Sequence, residues 1–274
     1  MKPARQTLKS QNDTLDPARG RALQIALGLA PDIESGSALP PFFHQLYFWA
    51  PQPSQALGRD GHPALGGTGL IPDLGLPRRM WAGGRLEFIA PLLAGHPAKR
   101  VSVVEQISHK HGRTGPLAFV TLRHEIRQDA TLCVREWQDL VYRESPDPTA
   151  PTTQLPEVVR AATTETDRRD MSFGSTLLFR YSALTFNGHR IHYDSDYARD
   201  VEGYAGLVVH GPLLAQLLML MATDLLGPLG GFSFRAASPL LHSETATLCR
   251  EGTGFWVRGP DGRLVMQATA QPES

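Results

Sequence analysis

Residues 181–194 read YSALTFNGHRIHYD, and residues 208–214 read VVHGPLL. The first stretch crowds Asn187, His189, Arg190, His192 and Asp194 between the apolar run LLFRYSALTF and the charged run DSDYARD. A histidine near neutral pH both accepts and donates a proton, which suits His192 to acid–base work. Asn187, five residues earlier, holds a water or a carbonyl without titrating. Gly188 permits a tight turn between them. The competing reading is a surface loop whose polar groups bond only to backbone, since a motif match alone is a hypothesis. The second stretch opens VVHGPLLAQLLMLMATDLLG, a nearly all-apolar helical pattern that predicts a buried helix. Pro212 suits its first turn. Free N–H groups and the positive dipole end there suit an oxygen on which negative charge develops. For Gly211 two roles stand side by side, lining that helix entrance or allowing close helix–sheet packing.

Outward from this segment the chain divides by texture. Residues 1–30 read as helical, with Leu15, Leu23, Ile25, Ala26 and Leu27 as core candidates. Residues 31–80 are rich in Pro and Gly and predict a wrapping loop with short strands. From Gly84, GRLEFIAPLLAG, RVSVVEQISHKHG, PLAFVTLRHEIRQD and ATLCVREWQDLVYRE predict successive strands, with alternation at Leu117, Phe119, Thr121 and at Leu132, Val134. After a Pro/Thr-rich stretch the pattern resumes, and FSFRAASPLL, ETATLCREG, GFWVRGPDG and RLVMQATAQ predict strands after the helix, with a tight PDGR turn. The expected organisation is a degenerate first half at 1–145, a linker at 146–165 and a second half at 166–274.

The 274 residues carry 27 Lys+Arg and 27 Asp+Glu, so no basic excess points to nucleic acid, and an anionic ligand must be met by a local cluster. The longest apolar run, 213–221, is far short of a membrane span. The N-terminus has no signal-peptide pattern, and Asp13 and Asp16 oppose a transit peptide, so a cytoplasmic protein is expected. Cys133 and Cys249 belong to no metal spacing and read as buried free thiols. The glycines at 66, 67 and 69 lack dinucleotide-loop spacing. His109, Lys110 and His111 read as an exposed hairpin, with no partner that would make a metal site.

The string from Ala183 to Asp194 resembles the A-L-S-G-D-x-N-P-I-H-x-D motif of the MaoC-like, R-specific enoyl-CoA hydratases. Val208–Leu214 resembles the I-V-H-G-M-L that opens their central helix. LPRRMWAGGRLEF at 76–88 and FSFRAASPLL resemble a long branch of that superfamily. It includes mesaconyl-C4-CoA hydratases, itaconyl-CoA hydratases and mitochondrial-type 3-hydroxyacyl-thioester dehydratases. The resemblance implies an α+β double hot-dog fold, with two halves that each wrap antiparallel sheet around a helix and join edge to edge. It implies a hydro-lyase that adds or removes water across the double bond of an acyl-CoA thioester. Coenzyme A is then part of the substrate, no metal or redox cofactor is required, and the sheet edges invite a homodimer or higher oligomer.

His192 inherits the family histidine's role. The family aspartate falls on Asn187, which cannot act as a base and inherits only the positioning of water. Its Asn-Pro falls on His189-Arg190. Asp194 caps the following helix or pairs with a histidine. Arg78, Arg79 and Arg85 flank Trp81 and, with Arg190, His189 and His210, are candidates for substrate contacts. A solvated basic turn is the alternative for the three arginines, and a core position for Trp81. Rival functions are a non-catalytic acyl-thioester binding protein, favoured by the missing aspartate, and a hot-dog thioesterase.

Overall fold

The computed structural model describes residues 8–66, 69–112, 115–144 and 158–273. Its elements are β1 (Leu8–Asp13), α1 (Pro17–Ala26), β2 (Arg78–Phe88), β3 (Ala98–Gly112), β4 (Gly115–Gln128), β5 (Thr131–Arg143), β6 (Asp167–Ser172), α2 (Ser175–Thr185), α3 (Gly211–Leu226), β7 (Leu229–Ala236), β8 (Thr245–Glu251), β9 (Gly254–Arg258) and β10 (Leu264–Pro272). The strands form one sheet of ten in the order β1-β3-β4-β5-β2-β7-β10-β9-β8-β6. Every pairing is antiparallel. The seam between the two sets of five is the β2–β7 ladder, where Gly83 pairs with Arg235 and Leu86 with Phe232. Glycine is required on this seam, because a Cβ on Gly83 would press on the Phe234 carbonyl oxygen at 2.5 Å.

α3 lies against β7, β9 and β10, with Leu213, Leu214, Leu218, Met219 and Met221 buried. Each such leucine contributes roughly 1.5–3 kcal/mol when withdrawn from water. Apolar residues all round the helix explain its burial. His210 precedes it as the capping residue, Pro212 sits in its first turn, and Gly227 closes it at φ 83°. No helix of the described residues is long and apolar enough to cross a membrane.

Among its described residues the first half has no equivalent of α3. Phe42, Phe43, Leu46, Tyr47 and Phe48, around a short 3-10 turn, enter the main core in its place. Ile71 and Leu76, from the Pro/Gly-rich segment, cover Ala118, Val120, Leu122, Leu140 and Tyr142. The described residues between 31 and 77 therefore wrap the sheet as expected, although they do so with 3-10 turns and isolated bridges rather than short strands, and β2 begins at Arg78.

Two expectations are corrected. Residues 8–13 form a strand paired with β3, and only Pro17–Ala26 is helical. Within that region Leu15 and Leu23 are buried but Ile25 is exposed, because the helix turns it away from the core. In β4 the alternation holds, with Ala118, Val120, Leu122, His124 and Ile126 as the buried row and Leu117, Phe119 and Thr121 on the less buried face. Both rows of that strand carry apolar residues, so alternation alone does not say which face is covered. Cys133 and Cys249 are buried free thiols. Most of the expected linker, residues 146–157, lies outside the described residues, as do Gly67 and Thr68.

Candidate active site

α2 ends at Phe186 in the left-handed region, φ 52°, and the Asn187 N–H closes back on the Ser182 carbonyl at 2.8 Å. The chain then turns through Gly188 and His189 into one 3-10 turn, Arg190–His192. That turn is fixed from outside: the Val208 N–H donates to the Ile191 carbonyl at 2.9 Å, and Val208 bridges to Leu241. His192 thereby comes to rest beside the entrance of α3. Its ring stacks on His210 at a centroid distance of 3.6 Å and an interplanar angle of 21°.

His192 is buried, and its Nδ1 lies 2.7 Å from the Val208 carbonyl oxygen. A carbonyl only accepts, so Nδ1 carries the proton and Nε2 keeps its lone pair. Burial pushes the imidazole down to about 4, against a smaller opposing pull from the Val208 hydrogen bond. The ring is therefore neutral at pH 7 and ready to accept a proton at Nε2.

A cavity of about 200 Å³ opens at this point, walled by Asn187, His189, His192, Gly211, Arg79 and His62, with Leu214, Leu240 and Met266 among its apolar lining. The Oδ1 of Asn187 accepts from the His189 N–H at 3.1 Å, which leaves its Nδ2 donors for the cavity. A Cβ on Gly211 would meet nothing within 4 Å, so close packing does not require glycine there, and the residue leaves open space beside the helix N-terminus. Among the first residues of α3, Gly211 and Leu213 carry N–H groups while Pro212 has none.

The other predicted residues divide. Arg78 lines the cavity but is tied to Glu202 by an ion pair and by a hydrogen bond to the Glu202 carbonyl at 3.1 Å. Trp81 lines it too, with its indole N–H bonded to Gly83 and its ring packed near Phe42 and Phe234. Three residues do not reach the cavity wall. Arg85 is exposed and lies over the Trp137 ring at 3.8 Å, because strand alternation turns it to the other face of β2. Arg190 is held by Asp194, at 3.0 Å from Nε and 2.7 Å from Nη2, and lies over the Tyr197 ring. His210 sits fully buried behind His192, with Nε2 2.8 Å from the Ser182 hydroxyl. Asp194 takes the capping role: its Oδ1 accepts from the Tyr197 N–H at 2.9 Å.

Sequence reasoning missed His62. It lines the cavity 4.9 Å from the His189 ring, delivered by the Pro/Gly-rich segment of the first half. Its only signal was a histidine inside the turn Asp60-Gly61-His62-Pro63. Among the described residues, no group of three or more His, Cys, Asp or Glu side chains is arranged to hold a metal ion.

A sequence profile of hydroxyacyl-thioester dehydratase type 2 matches residues 42–242. The chain is 44% identical over 266 residues to the mesaconyl-C(4)-CoA hydratase of Chloroflexus aurantiacus, covering 93% of this chain and 92% of that one. It is 25% identical over 247 residues to the mitochondrial hydroxyacyl-thioester dehydratase type 2 of Schizosaccharomyces pombe, covering 81% of each. HtdX of Mycobacterium tuberculosis has a similar fold, with TM-score 0.67 at 18% identity, over 97% of this chain and all of that one. Another protein of that organism, described as having a double hotdog fold, matches with TM-score 0.60 at 14% identity, over 97% of this chain and 95% of its own. The ten-stranded antiparallel sheet with α3 packed against β7, β9 and β10 is thus an α+β double hot-dog, and the chain belongs to the hydroxyacyl-thioester dehydratase type 2 family of hydro-lyases.

Proposed function

We propose that the protein reversibly hydrates short 2-enoyl-CoA thioesters, with five-carbon dicarboxylic acyl groups of the itaconyl or mesaconyl type among its substrates. The observation that carries this reading is the neutral His192, its tautomer set by Val208, facing a cavity that also holds Asn187 and the start of α3. A water bound there accepts an N–H from Asn187 and donates to Nε2 of His192. Its oxygen attacks the β-carbon while that proton passes to His192, and the π electrons of the double bond move toward the thioester oxygen. The N–H groups of Gly211 and Leu213 lie at the helix end suited to stabilising that enolate. The imidazolium then returns the proton to the α-carbon, completing the addition of one water. Dehydration is the same path reversed.

Two observations support the substrate class. The cavity of about 200 Å³ suits a short acyl group rather than a long chain. The relative at 44% identity is named for a hydratase of mesaconyl-C(4)-CoA. As a hot-dog protein with open sheet edges at β1 and β6, the chain is read as a homodimer or larger assembly. The test is to incubate the pure protein with a panel of enoyl-CoA esters and follow enone absorbance and free thiol together. Loss of absorbance without thiol release is expected. Thiol release identifies a thioesterase, and silence in both signals identifies a binding protein.

A further inference from the structure

Of the arginines singled out by sequence, Arg78 is paired with Glu202, Arg190 with Asp194, and Arg85 lies over Trp137 outside the cavity. Arg79 differs. It lines the cavity wall, is partly buried, and makes no ion pair with a described residue. Its Nη2 stands 3.4 Å from Nε2 of His62. A guanidinium has only donors, so the ring nitrogen facing it presents a lone pair, and His62 is neutral. Asp60 feels the Arg79 charge but lies beyond ion-pair distance. Opposite Arg79 in the ladder stands the buried Tyr142, whose neutral hydroxyl faces the same guanidinium. The wall that carries His192 therefore also carries a partly buried cation whose near neighbours His62 and Tyr142 are neutral and leave its charge unbalanced. Such a charge is costly away from water unless an anion completes it.

We propose that Arg79, with His62 beside it, binds the free carboxylate of a dicarboxylic enoyl-CoA and so makes that class the preferred substrate. This rests on the hydratase reading for the position of the thioester. In a five-carbon diacid the carboxylate is one or two bonds from the double bond, so its partner must stand in the same small cavity as His192, and Arg79 does. Arg143, at the end of β5 on the rim of the same cavity, is exposed and serves as the control cation. His62 reaches the site because Gly61 abuts Gly188, so the first half takes part in choosing the substrate of the second.

The test compares kcat/KM for a mesaconyl-type CoA ester and for crotonyl-CoA in wild type, Arg79→Met, Arg79→Lys and Arg143→Met. Thermal melting checks that each variant folds. Calorimetric Kd values for methylsuccinyl-CoA and butyryl-CoA, which cannot be hydrated, are measured in the same set. Arg79→Met is expected to lower kcat/KM for the diacid ester by about 10–150-fold, the worth of a charged hydrogen-bonded pair, while crotonyl-CoA is nearly unaffected. Arg79→Lys should recover part of the loss, since it restores charge without the planar fork. Arg143→Met should weaken both esters alike. Equal losses for both esters in Arg79→Met, or a diacid preference that survives it, overturn the proposal. If the wild type hydrates neither ester yet binds methylsuccinyl-CoA more tightly through Arg79, the carboxylate site stands and the hydratase reading falls.

Discussion

Gly188 and Gly61 meet backbone to backbone: a Cβ on Gly188 would sit 2.7 Å from the carbonyl oxygen of Gly61. The Arg190 N–H donates to the Asp60 carbonyl at 2.9 Å, so the loop of the first half is pinned onto the loop that carries His192. Glycine at 188 answers this close approach and not a left-handed turn, since its φ is not positive. Gly188→Ala is expected to cost about 1–3 kcal/mol, as overpacking does. Its melting temperature should fall by several degrees, and because His62 moves with the loop, the diacid preference should shrink as well. An unchanged melting temperature and selectivity would show that the two loops do not depend on each other.

His192→Ala is expected to cut kcat by a factor on the order of 100–10,000 in a protein that still folds, the usual worth of general acid–base catalysis. The base form of His192 is the neutral one, and its proton affinity is pushed down to about 4. Activity should therefore hold as pH falls below 6.5 and fail only nearer 4. The kcat/KM profile checks this, and an acid limb at the ordinary histidine value would mean that His192 is not the titrating group.

How much of the site could be read from the sequence follows from how local each contact is. His192, Asn187 and Gly211 stand in two short stretches whose spacing survives in the structure, and the fold of the second half followed from α3 and its strands. The fate of the arginines was not local. Arg190 looked like a ligand contact because it stands in the loop of His192, whereas Asp194, four residues on, is both a cap and the partner of Arg190. Arg78 is neutralised by Glu202, which lies 124 residues away. His62 escaped notice because a loop without periodicity gives no sign of what it will touch. The phase of β4 was illegible for a related reason, as the cover that decides it comes from Ile71 and Leu76.

Gly211→Ala tests the helix entrance. The added methyl meets no protein atom within 4 Å and projects into open space at the cavity wall. Exchanging Gly for Ala in a first helical turn should leave stability the same or raise it by up to about 1 kcal/mol. Turnover should drop by about 10–100-fold if the thioester oxygen must approach these amides, below the 100–1,000-fold worth of a whole oxyanion donor. A fully active variant would remove the helix entrance from the mechanism.

Stability should depend on pH through the histidines. His124 and His192 are pushed to about 4 and His189 to about 3, with His62 and His210 also lowered, each chiefly by burial. These groups bind protons more readily unfolded than folded. The stability they confer is complete above the unfolded value near 6.5 and is lost as pH falls toward their folded values. Each contributes a slope of at most about 1.4 kcal/mol per pH unit. Denaturant melts between pH 7.5 and 5 should show stability flat at first and then falling steeply. Replacing His124 by Gln should flatten the slope without touching catalysis, since His124 lies in the first half, bonded to Ser102 at 2.7 Å. A flat stability profile across that range would mean the histidines are charged in the folded protein.

Asn187 carries the sharpest departure from the motif it resembles, and its geometry says what the amide does. Its Oδ1 is engaged by the His189 N–H, so the group turned to the cavity is a donor. A donor can hold the oxygen of a water whose proton points to His192. A carboxylate at that position would accept instead, and would place a negative charge beside His189 and His192. Asn187→Ala is expected to lower kcat by about 10–100-fold with little change in KM, since one hydrogen bond to water is lost and the base remains. In Asn187→Asp the new charge should raise the proton affinity of His192 by about 1–3 pH units, the usual effect of an opposite charge at close range. The acid limb of kcat/KM should then move from near 4 toward neutrality. A carboxylate that served as a second base would instead raise kcat at pH 7 and leave the limb in place, and that result would show that the donor is not what this site needs from Asn187.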